Sequence, residues 1–249
     1  MDQYFLIFGV GLIAGAMNAL AGGGSFVSLP ALIAVGVPSV QANASSTVAL
    51  FPGGVISAWT YREELGPVGA ASVGSLLIST LFGGAIGAVL LLFTSPATFD
   101  LVLPWLLLLA TLALSFGRRV GEWLRHRWRI RPEVILTIQF GLGIYGGYFG
   151  GAVGIMMMAV WGLLDSRDLK SLNAPRTLLV SAANIVAAVI FVAANAVHWP
   201  ETIVMLIAAA VGGYCGAKIG RRASAKVIRV GTLLLTSLIT LAFFVRGYV

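Results

Sequence analysis

The sequence has few of the residues that carry covalent or metal chemistry. It contains one cysteine, Cys215, and two histidines, His126 and His198, in 249 residues. A single cysteine excludes an internal disulfide and a metal site built from cysteines. Both histidines lie in polar stretches, and no Ser–His pair or zinc-like cluster is recognisable. We therefore expect no catalytic residue, no metal and no cofactor, and we predict that the protein is not an enzyme.

Charged residues are also scarce. They make up 10% of the chain, against about 25% in a typical soluble domain, while 59% of the residues are hydrophobic and the mean hydropathy is +0.97. The short alternating strands of an outer-membrane barrel are not visible. The sequence thus predicts an all-α, polytopic membrane protein. Because residues 1–3 lack a basic region, we expect the first apolar segment to be retained rather than cleaved.

Carboxylates are missing from the interior of the apolar segments. The nine acidic residues stand at segment ends or in loops: Asp2, Glu63, Glu64, Asp100, Glu122, Glu133, Asp165, Asp168 and Glu201. Intramembrane proton relays and charged cation sites are usually built on such groups. A carboxylate relay is therefore not expected.

Ten apolar segments can be recognised in the sequence. They lie at about 4–20, 25–36, 44–61, 68–93, 99–117, 133–149, 152–164, 172–194, 201–217 and 229–245. A helix needs about 20 residues to cross a bilayer, so 25–36 and 152–164 are too short to cross alone. We predict about eight full spans and two short membrane segments.

One long polar stretch, 118–132, divides the chain. It carries six arginines and two tryptophans, which predicts an interfacial cytoplasmic helix. We predict a first transmembrane repeat at 1–117, a basic cytoplasmic connector at 118–132 and a second transmembrane repeat at 133–249.

Each predicted half contains a glycine-rich break in an apolar stretch. The first break is Gly22–Gly24, and the second lies within 143–154. Glycine weakens a helix, and the freed backbone groups are tolerated in hydrocarbon only where protein or a wet cavity covers them. Paired breaks in corresponding positions are the usual indication of a transporter binding site.

A short motif also recurs in the two halves. Asn-Ala-x-x-Thr occurs at Asn43–Thr47 and again at Asn173–Thr177, each time downstream of a break. The motif and the break together predict an internal repeat. Glycines spaced by four residues further predict helix-packing ridges at Gly143, Gly147, Gly151 and at Gly212, Gly216, Gly220.

The basic residues predict the topology. If each break returns the chain to its starting face, every basic residue except Arg176 and Arg246 lies on one face. The positive-inside rule makes that face cytoplasmic. The two repeats are then inverted, and both termini face outward. On this prediction the net charge of +7 reflects basic cytoplasmic loops that hold the topology by interacting with anionic lipid, and it does not indicate nucleic-acid binding.

The breaks also predict an anion site. The first N–H groups of a helix are unpaired and carry a partial positive charge, so helices that start after the breaks are ready anion sites. Asn43 and Asn173 begin the following segments, where plain N-capping is the alternative interpretation. The predicted substrate-binding residues are Asn18, Gly22, Gly23, Gly24, Ser25, Asn43, Ser45, Ser46, Thr47, Gly150, Gly151, Gly154, Asn173, Arg176 and Thr177.

Arg176 is the one basic residue placed within or at the edge of an apolar segment together with these groups. An arginine at the bilayer centre costs at least about 2.5 kcal/mol, so it usually faces a cavity and a partner. Its fork of donors suits oxyanions. The alternative is an interfacial residue that extends to the lipid headgroups.

The residues from Asn18 to Ser25, the segment Gln41–Thr47 and the second-half counterparts Gly150–Gly154 and Asn173–Leu179 resemble the sulfite exporter TauE/SafE family. The resemblance covers nearly the whole chain. It implies a transporter of sulfur-containing anions such as sulfite, sulfoacetate or thiosulfate, commonly an exporter in the bacterial inner membrane. The second break departs from a glycine triplet, because Ala152 and Val153 intervene.

The sequence therefore predicts a secondary transporter of small anions in the bacterial inner membrane, in which one repeat rocks against the other. An anion channel and a non-transporting scaffold that docks a partner through 118–131 are the alternatives. The expected partners are a small anion and membrane lipid, with no nucleic acid. A homo-oligomer is left open.

Overall fold

The protein is predominantly helical over the residues that the computed structural model describes, which are 2–125, 132–151, 153–164, 171–220 and 225–248. In those ranges the only strand-like pairing is an isolated bridge between Val68 and Ala71. The described ranges contain ten α-helices: α1 (Asp2–Ala21), α2 (Ser25–Ala34), α3 (Ser39–Thr60), α4 (Val73–Leu92), α5 (Pro96–Arg125), α6 (Pro132–Phe149), α7 (Val153–Leu164), α8 (Asn173–Ala193), α9 (Trp199–Gly220) and α10 (Ala225–Tyr248), with a 3₁₀ turn at Arg62–Glu64. The predicted all-α polytopic architecture is confirmed.

Six of the described helices are long and apolar enough to cross a membrane. They are Asp2–Leu20, Val73–Leu92, Pro96–Phe116, Asn173–Ala193, Trp199–Gly216 and Val230–Tyr248. α3 has 22 residues and α6 has 18, so both are long enough, but polar side chains keep them out of that set. α2 is a short apolar helix of 10 residues. The total of eight full spans stays a prediction.

α1 and α9 pack through backbone contacts at glycine. Gly11 faces Ala208, and Ala16 faces Gly216, so the two helices run in the same direction. A Cβ atom on Gly212 would overlap the carbonyl of Leu12. The predicted packing role of Gly212 and Gly216 is confirmed.

α4 and α6 pack in the same manner. Gly83 lies against Phe140, and Gly87 lies against Tyr148, so this pair is also parallel. A Cβ atom on Gly147 would overlap the carbonyl of Gly84. Each of these pairs joins a helix of the first half to a helix of the second half.

Most of the packing pattern is preserved when each helix of the first half is exchanged for its counterpart in the second; the exception is α5–α7, since α10 makes no comparable contact with α2 within the described residues. Under that exchange α1–α9 becomes α6–α4, α3–α9 becomes α8–α4, and the pairs α3–α8 and α5–α10 map onto themselves. α3 and α8 run antiparallel, since Gly54 faces Ser181 while Ser45 lies near His198 at the far end. Two inverted repeats would produce this pattern, which supports the predicted repeat.

Hydrogen bonds bring several loops to one face. Ser39 Oγ donates to the carbonyl of Pro96 at 3.4 Å, and the Tyr248 hydroxyl donates to the carbonyl of Leu101 at 3.0 Å. The starts of α3 and α5 and the end of α10 therefore share a face, as the predicted topology requires. The prediction that one face meets the cytoplasm rests on the distribution of basic residues alone.

The start of the predicted connector is not a separate helix. α5 continues without interruption through Arg125, so residues 118–125 extend a membrane helix. Residues 126–131 lie outside the described part of the chain, and the predicted repeat boundaries stay a prediction.

Candidate functional site

Both breaks end a helix in the same conformation. Gly22 has φ of 74° and Gly150 has φ of 69°, a left-handed conformation that glycine adopts without strain. The N–H of Gly22 donates to the carbonyl of Asn18 at 3.0 Å, and the N–H of Gly150 donates to that of Gly146 at 2.7 Å. This is the left-handed helix C-cap, and it makes Gly22 and Gly150 structural counterparts despite the different sequences that follow.

The two breaks meet beside the middle of α3. A Cβ atom on Gly24 would lie 3.1 Å from Leu50 Cδ1, and one on Gly150 would lie 2.8 Å from Thr47 Oγ1. The breaks also approach each other directly, because Gly23 lies near Ile155 Cδ1, at 3.8 Å from an ideal Cβ position. The helices that follow the two breaks therefore start close together.

The start of α2 is held tightly against its neighbours. Gly24 packs against the carbonyl of Ala14, at 2.5 Å from an ideal Cβ position. Ser28 Oγ hydrogen-bonds with Ser46 Oγ at 2.6 Å and donates to the carbonyl of Gly24 at 3.2 Å. Ser25 and Ser46 are buried. The first helix start is thus braced by serine hydroxyls from α2 and α3.

The start of α7 has a basic side chain in the corresponding place. The Arg176 stem crosses the first turn of α7, with Cδ 3.7 Å and Cγ 3.9 Å from an ideal Cβ position on Gly154. Arg176 stands in the first turn of α8 and is partly buried, and no carboxylate of the described residues forms an ion pair with it. The aliphatic stem of a basic side chain therefore lies against a helix N-terminus, and a guanidinium near a helix N-terminus is a favourable combination for an anion.

Neither asparagine of the repeated Asn-Ala-x-x-Thr motif caps its helix, so the N-cap interpretation is wrong. α3 begins at Ser39 rather than at Asn43, and α8 has Leu172 at its N-cap without a side-chain hydrogen bond. Asn43 Nδ2 instead donates to the carbonyl of Tyr148 at 2.9 Å, across to the end of α6. Its Oδ1 atom is buried and has no hydrogen-bond partner among the described residues.

Other predicted site residues brace the surrounding helices. Ser45 Oγ accepts the backbone N–H of His198 at 2.8 Å, and the ring of His198 hydrogen-bonds with Glu201. Thr177 Oγ1 donates to the carbonyl of Asn173 at 2.8 Å. Ser45 thus links α3 to the start of α9, away from the breaks. Gly151 packs on the ring of its neighbour Phe149, at 2.7 Å from an ideal Cβ position.

Asn184 is a site residue that the prediction omitted. Its Oδ1 atom lies 3.9 Å from an ideal Cβ position on Gly150 and, like Asn43 Oδ1, is buried without a partner in the described chain. The spacing of Thr177, Ser181 and Asn184 places three polar groups on one face of an otherwise apolar helix. That periodicity in the sequence could have identified Asn184.

The fold and this geometry define a class, the polytopic helical membrane proteins with two broken helices, here with both breaks beside the middle of α3. Comparison with known proteins gives the family. The chain matches the sulfite exporter TauE/SafE family over residues 7–243 and belongs to it. No solved structure matches the chain.

Curated relatives agree with the family. The chain is 26% identical over 246 residues to the "Probable membrane transporter protein" of Haemophilus influenzae, covering 96% of this chain and 94% of that one. It is 29% identical over 217 residues to YfcA of Escherichia coli K12, covering 87% and 79% of the two chains, and 26% identical over 225 residues to ORF9 of a Sinorhizobium species, covering 90% and 85%. Both carry the same description, so the family and the names of its members indicate a multi-pass membrane transporter.

Proposed function

We propose that the protein is a secondary transporter of small anions, sulfur oxyanions or organosulfonates, that works by alternating access in the bacterial inner membrane. The observation that carries this proposal is the position of the Arg176 stem over the first turn of α7. It brings a permanent positive charge to a helix N-terminus that already favours negative charge. The family description, sulfite exporter, suggests the substrate class.

The site residues have different roles in this proposal. The first turn of α7 and Arg176 bind the anion, and the start of α2, reached through Gly23 and Ile155, closes the other side. Gly22 and Gly150 end the preceding helices, so that the helix starts can point at a common ligand. The predicted orientation, with both termini outside, is part of the proposal.

Alternating access requires rigid units that move relative to each other. The glycine contacts make α1 with α9, and α4 with α6, such units, because backbones in contact cannot slide without separating. We therefore expect each moving unit to contain helices from both halves. A simple rocking of one half against the other would break both contacts.

Reconstitution in liposomes tests the function. Purified protein is expected to take up sulfite, thiosulfate or a sulfonate saturably, with sulfate and chloride as comparison anions and empty liposomes as control. Unlabelled anion inside the liposomes should accelerate uptake if the protein is a carrier, whereas a channel would show no such acceleration. Folded protein that moves none of these anions contradicts the proposal.

Arg176 tests the site. Arg176→Ala is expected to raise the anion concentration for half-maximal uptake by at least about tenfold, since it removes a charge-assisted contact of roughly 1.5–3 kcal/mol. Arg176→Lys should fall between that variant and the parent, because it keeps the charge and loses the fork. Arg246→Ala, the same change at an exposed position on α10, is the matched control and should leave uptake unchanged. Equal uptake by all three variants would remove Arg176 from the site.

A further inference from the structure

Two buried side-chain oxygens at the second break have no partner among the described residues. They are Asn43 Oδ1 and Asn184 Oδ1, whose residues are 0% and 8% exposed. A buried carbonyl oxygen without a partner costs free energy, and in a membrane interior such groups are generally functional. Each of them therefore requires a ligand or a hydrogen-bond donor.

The surroundings fix where these oxygens lie. Asn43 Nδ2 donates to the Tyr148 carbonyl, so Oδ1 is the free atom of that amide, beside the last turn of α6. Asn184 Oδ1 lies near Gly150, where α6 ends, and Thr47 Oγ1 lies on the same glycine. Thr47 gives its proton to the carbonyl of Asn43 at 3.0 Å, so the lone pairs of its oxygen remain available.

The charge at this point favours a cation. The C-terminus of a helix carries a partial negative charge, and α6 ends at Phe149. The oxygens around that end are neutral amide and hydroxyl groups, which cannot carry a proton as a carboxylate would. Neutral oxygens at a helix C-terminus are the ligands that broken-helix transporters present to a monovalent cation. Such a set lacks the charge that a divalent ion requires.

We propose that the end of α6 binds a monovalent alkali cation through Asn184 Oδ1, Thr47 Oγ1 and Asn43 Oδ1. The cation lies a few residues before the start of α7, so an anion at that helix start and the cation strengthen each other's binding. Cation and anion then cross together. Cation binding stands on the geometry alone, whereas its coupling to the anion rests on the proposed function.

Binding is measured on purified full-length protein without any anion, using Na⁺ and K⁺ with choline as the substitute cation. Saturable sodium-dependent or potassium-dependent stabilisation is expected, raising the unfolding temperature by roughly 3 °C. Radioactive sodium binding should saturate over the same concentration range. Unfolding that is the same in sodium, potassium and choline overturns the proposal.

Variants of Asn184 test whether this residue is a ligand of the cation or only packs against its neighbours. Asn184→Ala should raise the half-saturating sodium concentration at least about tenfold, whereas Asn184→Asp, which adds a negative charge, should lower it. Ser181→Ala is the control, since Ser181 lies on the same helix and donates only to the Thr177 carbonyl. If Asn184 only packs, its Ala and Asp variants should change the unfolding temperature, but their half-saturating sodium concentrations should not shift in opposite directions.

Uptake assays distinguish failure of this inference from failure of the proposed function. Anion uptake that proceeds equally in sodium, potassium and choline would support the proposed transport function and contradict the cation coupling. Sodium-dependent stabilisation without uptake of any sulfur anion would support the cation site and contradict the proposed substrate class. Sodium-dependent uptake that Asn184→Ala weakens supports both.

Discussion

Gly23 and Gly24 are neighbours in the sequence, yet their surroundings differ. A Cβ atom on Gly24 would lie 2.5 Å from the Ala14 carbonyl and 2.9 Å from Asn18 Cβ, closer than real contacts allow. The nearest atoms to a Cβ on Gly23 are 3.7–4.0 Å away, which is ordinary contact. Within one glycine triplet, one residue is thus required by packing and its neighbour is not.

Alanine substitution should reveal this difference. We expect Gly24→Ala to destabilise the protein by roughly 1–3 kcal/mol, the usual cost of overpacking, because α2 must move off α1. Gly23→Ala is the matched control and should change the unfolding temperature little. Thermal unfolding of the two purified variants is the measurement, and equal unfolding temperatures would show that the triplet is not packed as described.

Glycine also determines how whole helices approach. On α6, Gly147 faces the Gly84 carbonyl of α4, whereas Gly141 is exposed and has no atom near its Cβ position. We expect Gly147→Ala to separate α4 from α6 and to lower the unfolding temperature. Gly141→Ala makes the same change on the outer face of the same helix.

The control variant has its own expected result. Because alanine favours helix over glycine by about 1 kcal/mol, Gly141→Ala should be neutral or slightly stabilising. Thermal unfolding in detergent and size-exclusion profiles compare the two. A Gly147→Ala protein as stable as its Gly141→Ala counterpart would contradict the backbone contact.

At the scale of the whole molecule, the proposed orientation assigns each loop to one of the two membrane faces. In a Cys215→Ser background we expect Ala194→Cys, at the exposed end of α8, to react with a membrane-impermeant maleimide in intact cells. Glu64→Cys, in the exposed 3₁₀ turn after α3, should react only after permeabilisation. The background variant alone should remain unlabelled. The reverse labelling pattern would invert the proposed orientation.

Much of the fold could be predicted from the sequence, because bilayer thickness and hydrophobicity control it directly. The apolar segments, the two breaks and the packing role of Gly147 and Gly212 all follow from composition and spacing. The exact start of α3 could not be predicted, since Asn43 looks like a cap locally and its amide is used by α6 instead. That contact joins residues 105 apart in the chain.

The site was predicted less completely than the fold. Asn184 was omitted although it shares a helical face with Thr177 and Ser181, because its position beside Gly150 depends on how α8 packs. Arg176 was selected for its charge, and its contact with α7 agrees with that choice. That the selected residues bind a ligand stays a prediction.

The pairing of α1 with α9 also sets an order for biosynthesis. α1 leaves the ribosome well before the surface it packs against, which begins at Trp199, because the described helices α2–α8 are made in between. Until then the glycine stripe of α1, including Gly11 and Gly15, has no α9 to cover it. A nascent chain that stops before α9 therefore leaves this face of α1 uncovered, and such fragments are the ones that membrane quality control should remove fastest.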